Sequence, residues 1–170
     1  VASFSVLYYG QKQNIGWRVL ADSISPSLIL SYGIGRIGCQ VAGDGDWGIV
    51  NTLPKPSWMS FLPDWTWAYN YPNNVNKVCN PFLKGDPGFL ANYGCNFEET
   101  PYLVASVFPT PMYVAILGVL LFLILWFLLK RIKYAGVLFG IYLMFSGTER
   151  FFIEKIRVNT IMDFMGLTQA

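Results

Sequence analysis

Residues 112–129 read MYVAILGVLLFLILWFLL, and the next four are KRIK. At about 1.5 Å of helical rise per residue, eighteen such residues reach roughly the thickness of a bilayer's hydrocarbon core. No charge occurs between Glu99 and Lys130. Working outward, a second apolar run, Tyr134–Thr148, follows the basic cluster and extends to Ile153. A third run, Trp17–Ile37, carries Arg18 and Asp22 in its first turns. Hydrophobic residues make up 54% of the 170 residues and charged residues 13%. The pattern predicts an all-α integral membrane protein, a multi-span helical bundle with spans at about 17–38, 110–130 and 135–157. The stretch 44–106 is expected as one long irregular extracytoplasmic loop inserted into a single membrane domain.

Orientation follows from the basic residues. Lys12 and Arg18 lie before and at the start of the first span, and Lys130, Arg131 and Lys133 separate the other two. Basic loops favour the cytoplasmic side. The 44–106 loop then faces outward, and Arg36 and Arg150 fall on that same outer side.

The stretch 33–48, GIGRIGCQVAGDGDWG, holds six of the sixteen glycines. Dense glycine lets backbone or ligand approach closely. Arg36 lies among them, and an arginine offers a planar fork of donors to phosphate or carboxylate. The combination points to an anionic head group held at a membrane surface. Cys39 reads as a small packed residue, and Asp44 and Asp46 read equally well as turn residues or as parts of a site.

The loop is rich in turn formers, among them Pro54, Pro56, Pro63, Pro72, Pro81 and Pro87. Trp58, Phe61, Trp65, Trp67, Tyr69 and Tyr71 cluster in it. Such aromatics suit either a membrane–water interface or a small core of the loop's own. Cys79 and Cys95 are its only cysteines. On an oxidising outer face they are expected to form a disulfide. Val1–Tyr9 reads as the tail of an apolar helix, and 163–170 as a stretch leading onward. The chain is therefore expected to be an internal fragment of a larger membrane protein. No internal repeat is visible.

Four elements carry a family resemblance. Gly35-Arg36-Ile37-Gly38-Cys39, continuing through Gly43 to Trp47-Gly48, resembles the signature of the prolipoprotein diacylglyceryl transferases. Asp22 and Pro26 match an aspartate and a proline upstream of it. Pro109-Thr110-Pro111-Met112-Tyr113 resembles the family's His-Pro-x-Gln-x-Tyr element. Gly147-x-x-Arg150-Phe151-Phe152-Ile153-Glu154-x-x-Arg157 is similar to its glycine–arginine–glutamate–arginine element. Phe108 stands where the family usually has histidine, and Ser146 where a tyrosine is common.

The resemblance implies transfer of a diacylglyceryl group from phosphatidylglycerol to the lipobox cysteine of a prolipoprotein signal peptide, at the outer face of the bacterial cytoplasmic (inner) membrane. It implies catalytic roles for Arg36, Arg150 and Glu154. It implies phospholipid binding by Arg36, Arg150, Gly35, Gly38, Asp44 and Arg157. The two arginines are expected to converge on the lipid phosphate, with no carboxylate reserved for either except Glu154 beside Arg150. Gly118, Gly136 and Gly140 are expected to bring spans close and leave a lipid-open cavity. The fragment by itself is expected to be inactive.

Simpler readings stand beside these. Arg150 and Glu154, at i and i+4, neutralise each other on one helix face. Ionisable groups within spans are nevertheless costly enough to mark sites. Lys130, Arg131 and Lys133 set topology. A transporter fragment would show an inverted repeat. A non-catalytic phospholipid-binding relative would fit the loss of the family histidine. The partners expected are phosphatidylglycerol, the signal peptide and membrane lipids. No cofactor, metal cluster, nucleotide-binding loop or hydrolase triad is expected. A net charge of +2 with dispersed basic residues gives no support to nucleic acid as a partner, and none is expected.

Overall fold

A computed structural model describes residues 8–81 and 95–156, apart from the side chain of Glu154. Among the described residues the regular structure is helical, with no strands. Residues 8–12 are helical. Three long helices follow: α1, Trp17–Ala42; α2, Thr110–Leu129; and α3, Val137–Ile156. The chain divides into two compact units. One comprises the residues up to Ile34 with Ile116–Glu149, the other Gly35–Ala115 with the residues from Arg150 on.

Among the described residues, α2 is the one helix long and apolar enough to cross a membrane, with a mean hydropathy of 2.8. It carries no charged residue and is apolar on every side. By contrast α1 carries Arg18, Asp22 and Arg36, and α3 carries Glu149, Arg150, Glu154 and Lys155. α1 runs to Ala42, four residues beyond the expected end of the span. Gly35 and Gly38 are continued as helix, although glycine there costs roughly 1 kcal/mol each relative to alanine. The helix also contains Pro26, which is buried and removes one backbone donor.

In the first unit, Ile29, Leu125 and Leu138 form the buried centre, packed by Tyr32, Leu121, Phe122 and Ile141. α1 and α2 meet at two glycines. A Cβ added at Gly118 would stand 3.0 Å from the Gly33 Cα and 3.3 Å from the Ile29 carbonyl oxygen. Small residues at such a crossing are what allow helices to touch without a solvent-driven hydrophobic effect. Gly136 also lies against α1, where an added Cβ would stand 3.6 Å from the Arg18 side chain, whereas the expectation for Gly140 is corrected. Gly136 stands in the turn before α3, with φ of +94°, and a Cβ at Gly140 would meet nothing within 4 Å.

Asp22 explains how α3 begins. Its carboxylate accepts from the backbone N–H of Gly136 at 2.6 Å and of Phe139 at 2.8 Å. The first N–H groups of a helix have no internal partner, and a carboxylate there also meets the positive end of the helix dipole. Asp22 is thus a helix cap supplied from another helix, 114 residues away in sequence. Asp22→Ala is expected to destabilise the protein by about 1–3 kcal/mol, because it leaves two donors orphaned. Thermal unfolding in detergent measures this, and an unchanged midpoint would refute the capping role.

In the second unit, Trp47, Tyr71, Val78, Leu103 and Val107 form the core, with Val50 and Tyr69 against it. Val107 makes isolated antiparallel bridges to both Val50 and Tyr69. Residues 44–106 are not irregular throughout: one-turn 3-10 helices occupy Ser57–Met59 and Asp64–Thr66, each just after a proline. Cys79 and Cys95 are joined by a disulfide, with Cα atoms 6.3 Å apart.

Candidate functional site

The end of α1 places three polar side chains on one face. Arg36, Cys39 and Gln40 are spaced i, i+3 and i+4, which are neighbours on a helix surface. The chain then reverses through Gly43, whose φ of +63° suits only glycine well. This turn returns Asp44 and Asp46 to the same face.

The contacts follow from that reversal. Arg36 makes an ion pair with Asp46, each side chain about four-fifths buried. Its Nη1 also lies 3.7 Å from the Cys39 sulfur. The exposed Asp44 carboxylate accepts from the Asp46 N–H at 3.3 Å. The oxygen and sulfur atoms of Cys39, Asp44 and Asp46 all lie within 4.8 Å of one another. These are metal-donor types that the sequence did not show as a cluster. The cation that stands on Asp46 is the arginine itself.

The cluster is anchored through its backbone. Thr110, fully buried at the start of α2, donates its hydroxyl to the Asp46 carbonyl at 2.7 Å. Gly48 N–H donates to the Phe108 carbonyl at 2.8 Å, and Ile49 N–H to the Ile156 carbonyl at 2.9 Å. Residues 46–49 are therefore stitched to the entry of α2 and to the last residue of α3. On the other flank, the Tyr71 hydroxyl donates to Gln40 at 2.8 Å, and Val75 N–H caps the Ala42 carbonyl at 3.0 Å. Burial, with the thiol donating a hydrogen bond to the Asp44 carboxylate, pushes the Cys39 thiol up to about 11. Cys39 lies one residue past the expected span. At neutral pH it is a thiol rather than a thiolate, and the thiolate is the nucleophile.

Arg36, Asp44 and Cys39 come together. The sequence expectation that Arg36 lacks a reserved carboxylate is corrected: Asp46 holds it. Gly35 and Gly38 lie beside it on α1, where a Cβ would meet nothing within 4 Å. Neither is needed for internal packing. Arg150 is an exposed residue of α3 and belongs to the same compact unit as Arg36. The Glu154 side chain and Arg157 lie outside the described residues. Sequence reading missed Asp46 as the partner, Gln40, and Thr110. The i+4 spacing from Arg36 was the available signal for Gln40. Thr110 between two prolines was the signal for a fixed entry to α2.

The family model for prolipoprotein diacylglyceryl transferases matches residues 1–170. The chain is 25% identical to a phosphatidylglycerol–prolipoprotein diacylglyceryl transferase of Paraburkholderia phymatum, over 97% of this chain and 50% of that protein. It is 28% identical to the protein of that name from Buchnera aphidicola, over 81% of this chain and 43% of the relative. The Burkholderia mallei protein is 25% identical over 89% of this chain and 47% of its own length. The chain thus spans about half the length of the curated relatives it matches. No solved structure matches it.

Proposed function

Because the chain belongs to the prolipoprotein diacylglyceryl transferase family, we propose that the protein transfers a diacylglyceryl group from phosphatidylglycerol to the lipobox cysteine of a prolipoprotein. The thiolate sulfur attacks the glyceryl carbon that bears the phosphate ester. A carbon–sulfur bond forms, the carbon–oxygen bond breaks, and glycerol phosphate leaves. The thiol proton goes to a base, for which Glu154 is the candidate in this chain. The protein sits in the bacterial inner membrane as a multi-span bundle, with α1, α2 and α3 over the spans and the site on the outer side.

The observation that carries this reading is Arg36, a mostly buried guanidinium whose direction is fixed by Asp46. As glycerol phosphate departs, negative charge grows on its oxygens. A pre-oriented donor there stabilises the transition state more than the ground state. Charge counting adds a requirement. Arg36, Asp44 and Asp46 together are formally one positive and two negative charges, so an anionic phosphate needs a second cation. Arg150 is that cation in this proposal. Gly35 and Gly38, with open space where side chains would stand, leave room for the lipid.

The test uses the full-length protein, phosphatidylglycerol labelled in its diacylglyceryl part, and a lipobox peptide. Label is expected on the peptide, and on none in which the lipobox cysteine is serine. Phe108, at the position where the family usually has histidine, favours one alternative, a phospholipid-binding relative without turnover. Tight binding of labelled lipid with no transfer would establish that alternative and overturn the enzyme.

A further inference from the structure

The aromatic residues of the loop separate into two groups. Tyr69, Tyr71 and Trp67 pack inward, with Tyr71 only 2% exposed. Trp58, Phe61 and Trp65 do not: they are 70%, 80% and 46% exposed. Large aromatics left this bare on a soluble surface are unusual unless something covers them.

The bare residues sit on a closed knuckle. Lys55 Nζ donates to the Leu62 carbonyl and pairs with Asp64 at 3.0 Å, which joins the neck of residues 55–64. Trp67 Nε1 donates to the Leu53 carbonyl at 3.0 Å just outside it. The two 3-10 turns tighten the interior, and Met59 points in, 7% exposed. Trp58 and Phe61, either side of Met59, are left at the tip.

The knuckle is also bonded to the first turn of α2. The Tyr113 hydroxyl, in the first turn of α2, donates to the Thr66 carbonyl at 2.8 Å. Twenty helical residues reach about 30 Å, so α2 needs nearly its whole length to cross a hydrocarbon core. Tyr113 therefore lies at the boundary, and the knuckle is bonded to it there. Aromatic rings beside an exposed Lys–Asp ion pair are the chemistry of the head-group layer rather than of the hydrocarbon centre.

We propose that the knuckle of residues 55–65 embeds Trp58 and Phe61 in the outer head-group layer of the same bilayer that α2 crosses, anchoring the extramembrane loop to the lipid surface. This rests on the reading of α2 as a membrane span. It assigns the exposed part of the aromatic cluster to lipid and the buried part to the loop's own core.

The test reads tryptophan emission from the full-length protein in vesicles of phosphatidylethanolamine and phosphatidylglycerol doped with brominated phosphatidylcholine. The difference between wild type and Trp58→Phe isolates Trp58. That difference is expected to be blue-shifted, and lost most strongly when the bromines lie near the top of the acyl chain. Phe61→Trp in the Trp58→Phe background reads the neighbouring tip position, so that one poorly folded variant does not decide the result. Trp126, 53% exposed near the other end of α2, is the control, read with Trp126→Phe. Quenching of Trp126 with red, unquenched Trp58 overturns the knuckle and leaves the span standing. Quenching of neither overturns both. Quenching of Trp58 only on adding a bromophenylalanine-labelled signal peptide overturns lipid as the occupant in favour of peptide.

Discussion

Arg36→Ala in the full-length protein is expected to abolish transfer, with at least about a hundredfold loss in kcat. Removing one pre-organised donor from a developing oxyanion typically costs that much or more. Arg150→Ala should be as severe, because the Arg36 cluster alone has too little positive charge for a phosphate. Lysine at either position should restore little, since a point charge on a flexible stem does not reproduce the fork. The ion pair with Asp46 complicates this experiment and also sharpens it. Arg36→Ala strands a carboxylate that is about four-fifths buried, which is destabilising in its own right. The double variant Arg36→Ala/Asp46→Ala removes the stranded charge. It should recover stability and not transfer. Recovery of transfer as well would mean that Arg36 serves only to neutralise Asp46. The assay is label on the lipobox peptide, and the stability readout is thermal unfolding in detergent.

Gly48→Ala carries the second large effect, this time on the fold. A Cβ there would stand 2.7 Å from the Ile156 carbonyl oxygen, 2.8 Å from the Phe108 Cβ and 2.9 Å from the Thr110 Cγ2. Two of these neighbours are tied by backbone hydrogen bonds within the same crossing, so they have little freedom to withdraw. Overpacking of this kind costs about 1–3 kcal/mol. It also strikes where the segment after Asp46 meets the entry of α2 and the end of α3, so transfer should fall with stability. Gly35→Ala and Gly38→Ala form the contrast. They stand in open space within a helix, where alanine is favoured by up to about 1 kcal/mol. Both should leave stability unchanged or raised. If they lose transfer nonetheless, the loss reflects crowding of the ligand. Equal unfolding midpoints for Gly48→Ala and wild type would refute the close crossing.

The helix α2 was legible because it needs no partner to be recognised. Eighteen apolar residues bounded by KRIK specify a spanning length without any tertiary information. The ends of α1 were less so. Gly35, Gly38 and Gly43 look alike in sequence, yet only Gly43 turns the chain, and Ala42 is held in the helix by the distant Val75 N–H. Arg36 was readable as a candidate site residue from its glycine setting. Its partner was not, because Asp44 and Asp46 are equivalent in composition. The turn at Gly43 and the Thr110 hydroxyl on the Asp46 carbonyl determine which carboxylate arrives. Asp22 was visible as a charge near the start of an apolar run. Its capping of α3 depends on a contact spanning 114 residues that no local pattern encodes. The loop aromatics were ambiguous for the same reason: exposure separates Trp58 and Phe61 from Tyr71, and exposure is a tertiary property.

The most direct test of the central claim is an experimental structure of the full-length protein with phosphatidylglycerol bound. The account predicts the lipid phosphate within about 2.7–2.9 Å of guanidinium nitrogens of both Arg36 and Arg150, the usual length for charge-assisted contacts. It also predicts Asp46 still against Arg36. A phosphate bound elsewhere, or Arg36 and Arg150 facing opposite sides of the bundle, would contradict it.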